Sequence, residues 1–245
     1  MTTTTTPTPP PTKKPHVAVI VLGDVGRSPR MQYHAISLLQ NNYRVTLVGY
    51  CGENLCPTLA TAAATSDLTV LRFDLPTPPA LLRRVAKPIY LLLRLCGMIA
   101  ALIRTLWFAL DRDVDCLLVQ NPPSVPLLFL SYLYVRTNGR RRRRRTGLVI
   151  DWHNLGYSMF DARWMRGVAR RYEMVCAPFA DAHLCVTGAM KRYLEDEFGL
   201  ESETMTVLRD RPPDFFRALS TGEKHDFLTL RGEEFDVCFP SLERG

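Results

Sequence analysis

Apolar residues arrive in this chain as short unbroken runs separated by longer amphipathic stretches. The first run, Val17–Leu22, has no polar residue at either parity, as a parallel strand buried on both faces requires. Comparable runs predict further strands at Arg44–Gly49, Leu68–Phe73, Cys116–Gln120, Leu148–Asp151, Ala182–Thr187 and Met205–Leu208. Helices are expected between them, near Pro29–Gln40, Ala80–Leu110, Ser124–Val135, Ala162–Pro178 and Gly188–Phe198. Strict strand–helix alternation predicts an α/β fold, a Rossmann-like parallel sheet with helices on both faces and functional loops at the carboxyl ends of the strands. The foldable domain is expected over 16–219. Residues 1–15 are low-complexity Thr/Pro and read as a disordered tail, and 220–245 is a polar segment with no further strand–helix series.

The first strand runs into Gly23-Asp24-Val25-Gly26, after which Ser28 reads as an N-cap and Pro29 as the first helical residue. A strand, a glycine turn and a helix start leave backbone N–H groups facing the sheet edge and favour phosphate. Arg27 and Arg30 add positive charge there. The same glycines also occur where a turn is merely crowded, so both readings stay open.

Composition narrows the partners. A net charge of +7 suits phosphates, anionic lipid or nucleic acid. Nucleic acid is excluded because the basic run has no interleaved aromatics and no known module surrounds it. The seven cysteines include no C-x-x-C pair, so reduced thiols are expected, and the five scattered histidines offer no metal-ligand spacing. Ile89–Leu110 is 22 residues long, enough to span a bilayer. Arg94 and Arg104 would cost about 5–7 kcal/mol at mid-membrane, while its eleven Leu, Ile and Phe residues return about 3–7. Lys87, Arg94 and Arg104 fall on one arc of about 100°, which fits a helix lying in the headgroup plane as well as it fits a crossover helix with its arginines in water. Val125–Val135 is too short to span and leads to Arg140, Arg141, Arg142, Arg143, Arg144 and Arg145. That run either attracts anionic lipid or is a solvated loop.

Three ordered motifs, Gly23–Ala35 (GDVGRSPRMQYHA), Gln120–Pro123 (QNPP) and Val149–Ser158 (VIDWHNLGYS), resemble the chitobiosyldiphosphodolichol β-mannosyltransferase family. Further similarity lies in Arg170–Leu194 and Arg211–Phe216. The resemblance implies the N-terminal, acceptor-side domain of a GT-B glycosyltransferase. Such an enzyme adds the first β-1,4-mannose from GDP-mannose to a chitobiose on diphosphodolichol, on the cytosolic face of the endoplasmic reticulum. It implies no cofactor beyond the donor sugar nucleotide. The family binds its donor mainly through a second Rossmann-like domain, expected where this chain ends. The chain is then a truncated half, or a non-catalytic membrane-binding subunit recruiting a separate donor-domain partner or other mannosyltransferases of the pathway. An apolar anchor helix usual ahead of the first strand in that family is not written in Met1–Pro15, which leaves membrane contact to Arg94, Arg104 and the arginine run.

Inverting transfer needs a base for the acceptor hydroxyl. Asp151 is the first candidate, emerging at a strand end, with His153 second and Asp24 a rival; each equally fits a local structural role. Asp151→Asn is expected to abolish transfer with the fold nearly intact. Trp152 suits sugar stacking or the core. Asn121 and Asn154 are candidate acceptor contacts, and Gly23, Gly26, Arg27, Ser28 and Arg30 candidate diphosphate contacts.

Overall fold

The computed structural model describes residues 13–75, 78–79, 86–142, 145–212 and 217–230, with backbone alone over 139–142 and at 230. The Thr/Pro tail over 1–12, the opening of the helix expected from Ala80, Arg143, Arg144, the 213–216 stretch and residues 231–245 lie outside the described residues, although each carries an expectation above.

Seven parallel strands form one sheet: β1 (His16–Asp24), β2 (Arg44–Tyr50), β3 (Leu68–Phe73), β4 (Cys116–Asn121), β5 (Gly147–Trp152), β6 (Ala182–Cys185) and β7 (Met205–Val207). Their order is β3-β2-β1-β4-β5-β6-β7. Val17 pairs with Val45 on one side and with Cys116 on the other, which makes β1 interior. β5 is likewise interior, between β4 and β6. All seven expected strands form. Alternation along β1 explains why its Val17–Leu22 stretch is apolar at every position: Val17, Val19 and Val21 fill one core and Ala18, Ile20 and Leu22 the other.

The first core lies under α1 (Pro29–Gln40) and the short α2 (Pro57–Ala62), with Met31, Ala35 and Leu59 fully buried. The second lies under α3 (Lys87–Arg104), α4 (Leu127–Arg142), α5 (Arg163–Cys176) and α6 (Gly188–Phe198). Helices therefore cover both faces, as the alternation predicted.

The differences have local causes. α2 is only six residues long, too short to show a period in the sequence. α3 continues as a π-helical turn, Thr105–Ala109, and buries Leu102 and Leu106 while its outer side stays uncovered. It is a crossover helix with an exposed apolar face. α4 runs past Val135 as far as Arg142, so the start of the arginine run is helical and not a loop, in keeping with arginine's good helix propensity.

Residues up to Arg209 form one compact unit and those from Asp210 a second. In the second, α7 (Thr221–Leu230) begins with a capping box. The Ser220 hydroxyl accepts from the Glu223 N–H, and the Glu223 carboxylate accepts from the Ser220 N–H at 2.9 Å.

Candidate functional site

Strand order reverses between β1 and β4, since the chain builds outward from β1 through β3 and then crosses by α3 to build the other half. A parallel sheet opens a crevice at the carboxyl end of such a switch point. Asp24 ends β1 there, Asn121 ends β4, and Asp151 and Trp152 end β5. The candidate residues thus converge on one edge, but most have different partners from those expected.

Asp151 is fully buried. Arg30 donates to it twice, Nε to Oδ2 at 2.7 Å and Nη2 to Oδ1 at 2.8 Å, and His34 Nε2 lies 2.9 Å from Oδ2. Burial alone would raise its pKa, but the bonds to His34 and Arg30 outweigh that and hold the carboxyl below the usual carboxylate range. A carboxylate so engaged is a weak proton acceptor. It orients its partners instead, which corrects its expected place as the base. Arg30, 8% exposed, is correspondingly spent inside the protein and is not a free diphosphate ligand. His34 was not singled out in the sequence. The available signal was its spacing, one helical turn after Arg30 on the same face of α1.

Asp24 is a loop pin. Its Oδ1 accepts from the Gly26 N–H at 2.9 Å and its Oδ2 from the Glu53 N–H at 3.0 Å. The Glu53 N–H, outweighing desolvation, keeps its pKa below the ordinary value. Gly26 is required by that neighbour: a Cβ there would stand 2.5 Å from the Glu53 carbonyl oxygen. The turn therefore presses on the 51–53 loop, and its Gly26 N–H is occupied; Gly23 adds no such close contact. Ser28 stands at the N-cap position, but its hydroxyl donates to the Asp24 carbonyl at 2.9 Å and not to the helix end. Arg27, with a side chain 73% exposed, pairs with Glu53 at 2.8 Å.

Trp152 belongs to the core. It is fully buried, meets Phe198 edge-on at 5.8 Å and donates Nε1–H to His183 Nδ1 at 3.1 Å. Burial lowers the His183 pKa to about 4, which keeps the ring neutral and able to accept. Asn121 is buried too, and its carbonyl accepts from the His153 N–H at 2.8 Å, tying the QNPP loop to the loop after β5. His153 is half-buried at that junction and Asn154 is exposed beside it.

The arginines expected at a membrane are placed variously. Arg94 and Arg104 are exposed on α3. Arg145 pairs with Asp181. Arg140, Arg141 and Arg142 have helical backbone only, and Arg143 and Arg144 lie outside the described residues. α3 with its π-helical turn is long and apolar enough to cross a membrane by length and composition.

At the opposite, amino edge, the ligand atoms of His16, Asp111 and Asp113 lie within 4.8 Å of one another. Arg44 pairs with Asp113 and lies 2.8 Å from His16 Nδ1, and Lys13 reaches Asp113 at 2.5 Å. Two cations already fill that position, so the donor set does not suit a metal ion.

Residues 23–210 match the glycosyl transferase 4-like domain. A Candida glabrata protein named chitobiosyldiphosphodolichol beta-mannosyltransferase is 35% identical over 224 residues, 89% of this chain and 46% of that one. An Arabidopsis thaliana protein named UDP-glycosyltransferase TURAN is 34% identical, over 93% of this chain and 47% of its own. The chain thus spans about half the length of the curated relatives it matches. The solved glycosyltransferase from Rickettsia africae ESF-5 aligns with 91% of this chain and 50% of its own, at 14% identity and a TM-score of 0.49.

Proposed function

Because this chain belongs to the glycosyl transferase 4-like domain family, we propose that it is the acceptor-side, N-terminal domain of a GT-B β-mannosyltransferase. The reaction is transfer of the first mannose from GDP-mannose to a diphosphodolichol-linked chitobiose. The names carried by several relatives at 31–35% identity support the acceptor and the sugar. The observation that carries the reading is the His34–Asp151 pair at the switch-point edge.

Asp151 stays anionic and holds the imidazole through Nε2, leaving Nδ1 as the basic atom. His34 has a side chain 13% exposed, enough to meet a hydroxyl while most water is kept away. As the acceptor oxygen bonds to the anomeric carbon, His34 takes its proton; the bond to the donor phosphate breaks and GDP leaves with the electron pair. Arg27 and Asn154, both exposed at this edge, are the groups available to the diphosphate and the chitobiose. No cofactor is needed beyond the donor. Its sugar nucleotide is held mainly by the second domain of such an enzyme.

A membrane surface fits the helical layer over the second core. α3 exposes Ile89, Leu91, Leu92, Leu93 and Ile103, followed by Phe108 at 82%, beside Arg94 and Arg104. α4 and α5 add Phe129, Trp164 and Val168 to that side. Apolar groups edged by arginine suit the headgroup region of an anionic bilayer, here the cytosolic face of the endoplasmic reticulum.

The test is binding of the 245-residue chain to vesicles containing a GlcNAc2-diphospholipid. Tighter binding than to the same vesicles with the bare diphospholipid is expected. Equal binding to both would overturn the acceptor reading.

A further inference from the structure

α1 carries two opposed rows of polar side chains in its first two turns. Arg30 and His34 turn toward Asp151, and Gln32, about 200° round the helix from Arg30, turns the other way. Gln32 is 4% exposed, and its amide meets three backbone groups from two different loops. Nε2 donates to the Val25 carbonyl at 3.1 Å and to the Gly26 carbonyl at 3.0 Å, both in the turn after β1. Oε1 accepts from the Cys56 N–H at 2.7 Å, at the far end of the loop after β2. Two acceptors and one donor occupy both ends of the amide. A methionine of similar length offers neither end, and an ionised glutamate offers only the acceptor.

Both ends bear on Arg27. The Gly26 carbonyl belongs to the peptide that leads directly into Arg27. The Cys56 N–H closes the loop whose Glu53 carboxylate takes Arg27 Nη2 at 2.8 Å. Asp24 draws the same two segments together through the N–H groups of Gly26 and Glu53, and Arg72 Nη2 donates to the Glu53 carbonyl at 3.3 Å. A Cβ on Gly52 would strike the Asp24 carboxylate, so loop and turn are in direct contact. The Glu53 side chain is 60% exposed and that of Arg27 more so, and an ion pair so open to water holds its members weakly. The direction of Arg27 is therefore set by the backbone on either side of the pair, which the buried Gln32 amide fixes.

We propose that Gln32 is a positioning residue, clamping the turn after β1 to the loop after β2 in the arrangement that turns Arg27 toward the acceptor diphosphate. Gln32 itself touches no substrate atom and acts through Arg27. The clamp follows from the three hydrogen bonds of a buried amide. Its consequence for binding rests on the reading above, in which Arg27 meets the diphosphate.

Two measurements on the full chain test it. In Gln32→Met, hydrogen exchange at the Cys56 amide should quicken by about tenfold or more. In vesicle binding, the preference for a diphospholipid over the matching monophospholipid should fall by about fivefold or more in Gln32→Met and in Arg27→Ala alike. The double variant should be no worse than Arg27→Ala alone, because a residue that acts through Arg27 has nothing left to position. Cys56→Pro, at a φ of −57° that proline adopts, removes only the N–H and should lower the same preference, which keeps the test open if Gln32→Met fails to fold. Unchanged Cys56 exchange in Gln32→Met, or effects of Gln32→Met and Arg27→Ala that add, overturns the proposal. If exchange quickens but Arg27→Ala leaves the diphospholipid preference intact, the clamp stands and the assignment of Arg27 to the diphosphate fails.

Discussion

Replacing Asp151 by asparagine removes the anion that Arg30 and His34 share. The carboxylate is fully buried and Arg30 nearly so, and three contacts of 2.7–2.9 Å join them. An amide fits the space but turns an N–H₂ toward at least one guanidinium donor and leaves a buried cation without a counter-charge. Breaking a buried pair from one side costs about 3–5 kcal/mol. For a chain of this size each kcal/mol lowers the melting temperature by about 2–4 °C, so a loss of about 6–20 °C is expected in far-ultraviolet circular dichroism at pH 7. Since the folded pKa is depressed, the pair's contribution is complete above the usual carboxylate value and is lost only as pH falls through the lower folded one. The asparagine variant should therefore converge on wild type only in strong acid. The double change Arg30→Met, Asp151→Leu should recover most of the loss, because two apolar side chains leave no charge behind. A melting temperature for Asp151→Asn within about 2 °C of wild type, less than a single kcal/mol would produce, would refute the argument and return Asp151 to an open position.

In the complete enzyme, His34→Gln should lower mannosyl transfer by about 10²–10⁴ while melting much closer to wild type than Asp151→Asn; unchanged turnover, with loss on His153→Gln instead, would move the base to the loop after β5. Leu92→Glu with Phe108→Glu should weaken binding to anionic vesicles at any salt, whereas removing Arg94 and Arg104 should matter mainly at low salt, where the charges are unscreened; vesicle co-sedimentation unaffected by either pair would dismiss α3 as a contact. Two buried groups set opposing pH slopes. Glu173, raised to about 7 from 4.5, makes stability fall as pH rises between those values, and His183, lowered to about 4 from 6.5, makes it rise. Urea unfolding should be nearly flat over pH 4.5–6.5 in wild type, slope upward in Glu173→Gln and downward in His183→Gln, by up to about 1.4 kcal/mol per pH unit. Slopes in both variants equal to wild type would show that neither group titrates as its burial requires.

The strands were legible because a parallel strand buried on both faces must be apolar at every position, which Val17–Leu22 and Leu148–Ile150 are. The edge that holds the site followed from strand–helix alternation. Its pairing did not. Arg30 and Asp151 are 121 residues apart, and nothing local to either distinguishes a surface arginine from one sealed against a carboxylate. Glu173 left a faint trace, a carboxyl on the apolar face of an amphipathic helix between Ala169 and Cys176. Trp152 reads the same in a sugar site as in a core; only its contact with Phe198 decides. The capping box at Ser220 and Glu223 is written in the sequence, but the polar helix it opens has no apolar face to give a helical period.

The central position of β1 has a consequence at the ribosome. Its inner neighbour β4 begins about a hundred residues later, since Val17 pairs with Cys116. At 5–20 residues per second, one side of a strand that is apolar from Val17 to Leu22 waits roughly 5–20 seconds for its partner to emerge. During that interval β1–β3 present a bare, unpaired apolar edge, the kind of surface that joins other chains. The nascent protein is accordingly a client for chaperones that cover extended hydrophobic segments, and slowing synthesis between codons 75 and 116 should raise aggregation more than slowing it after β4.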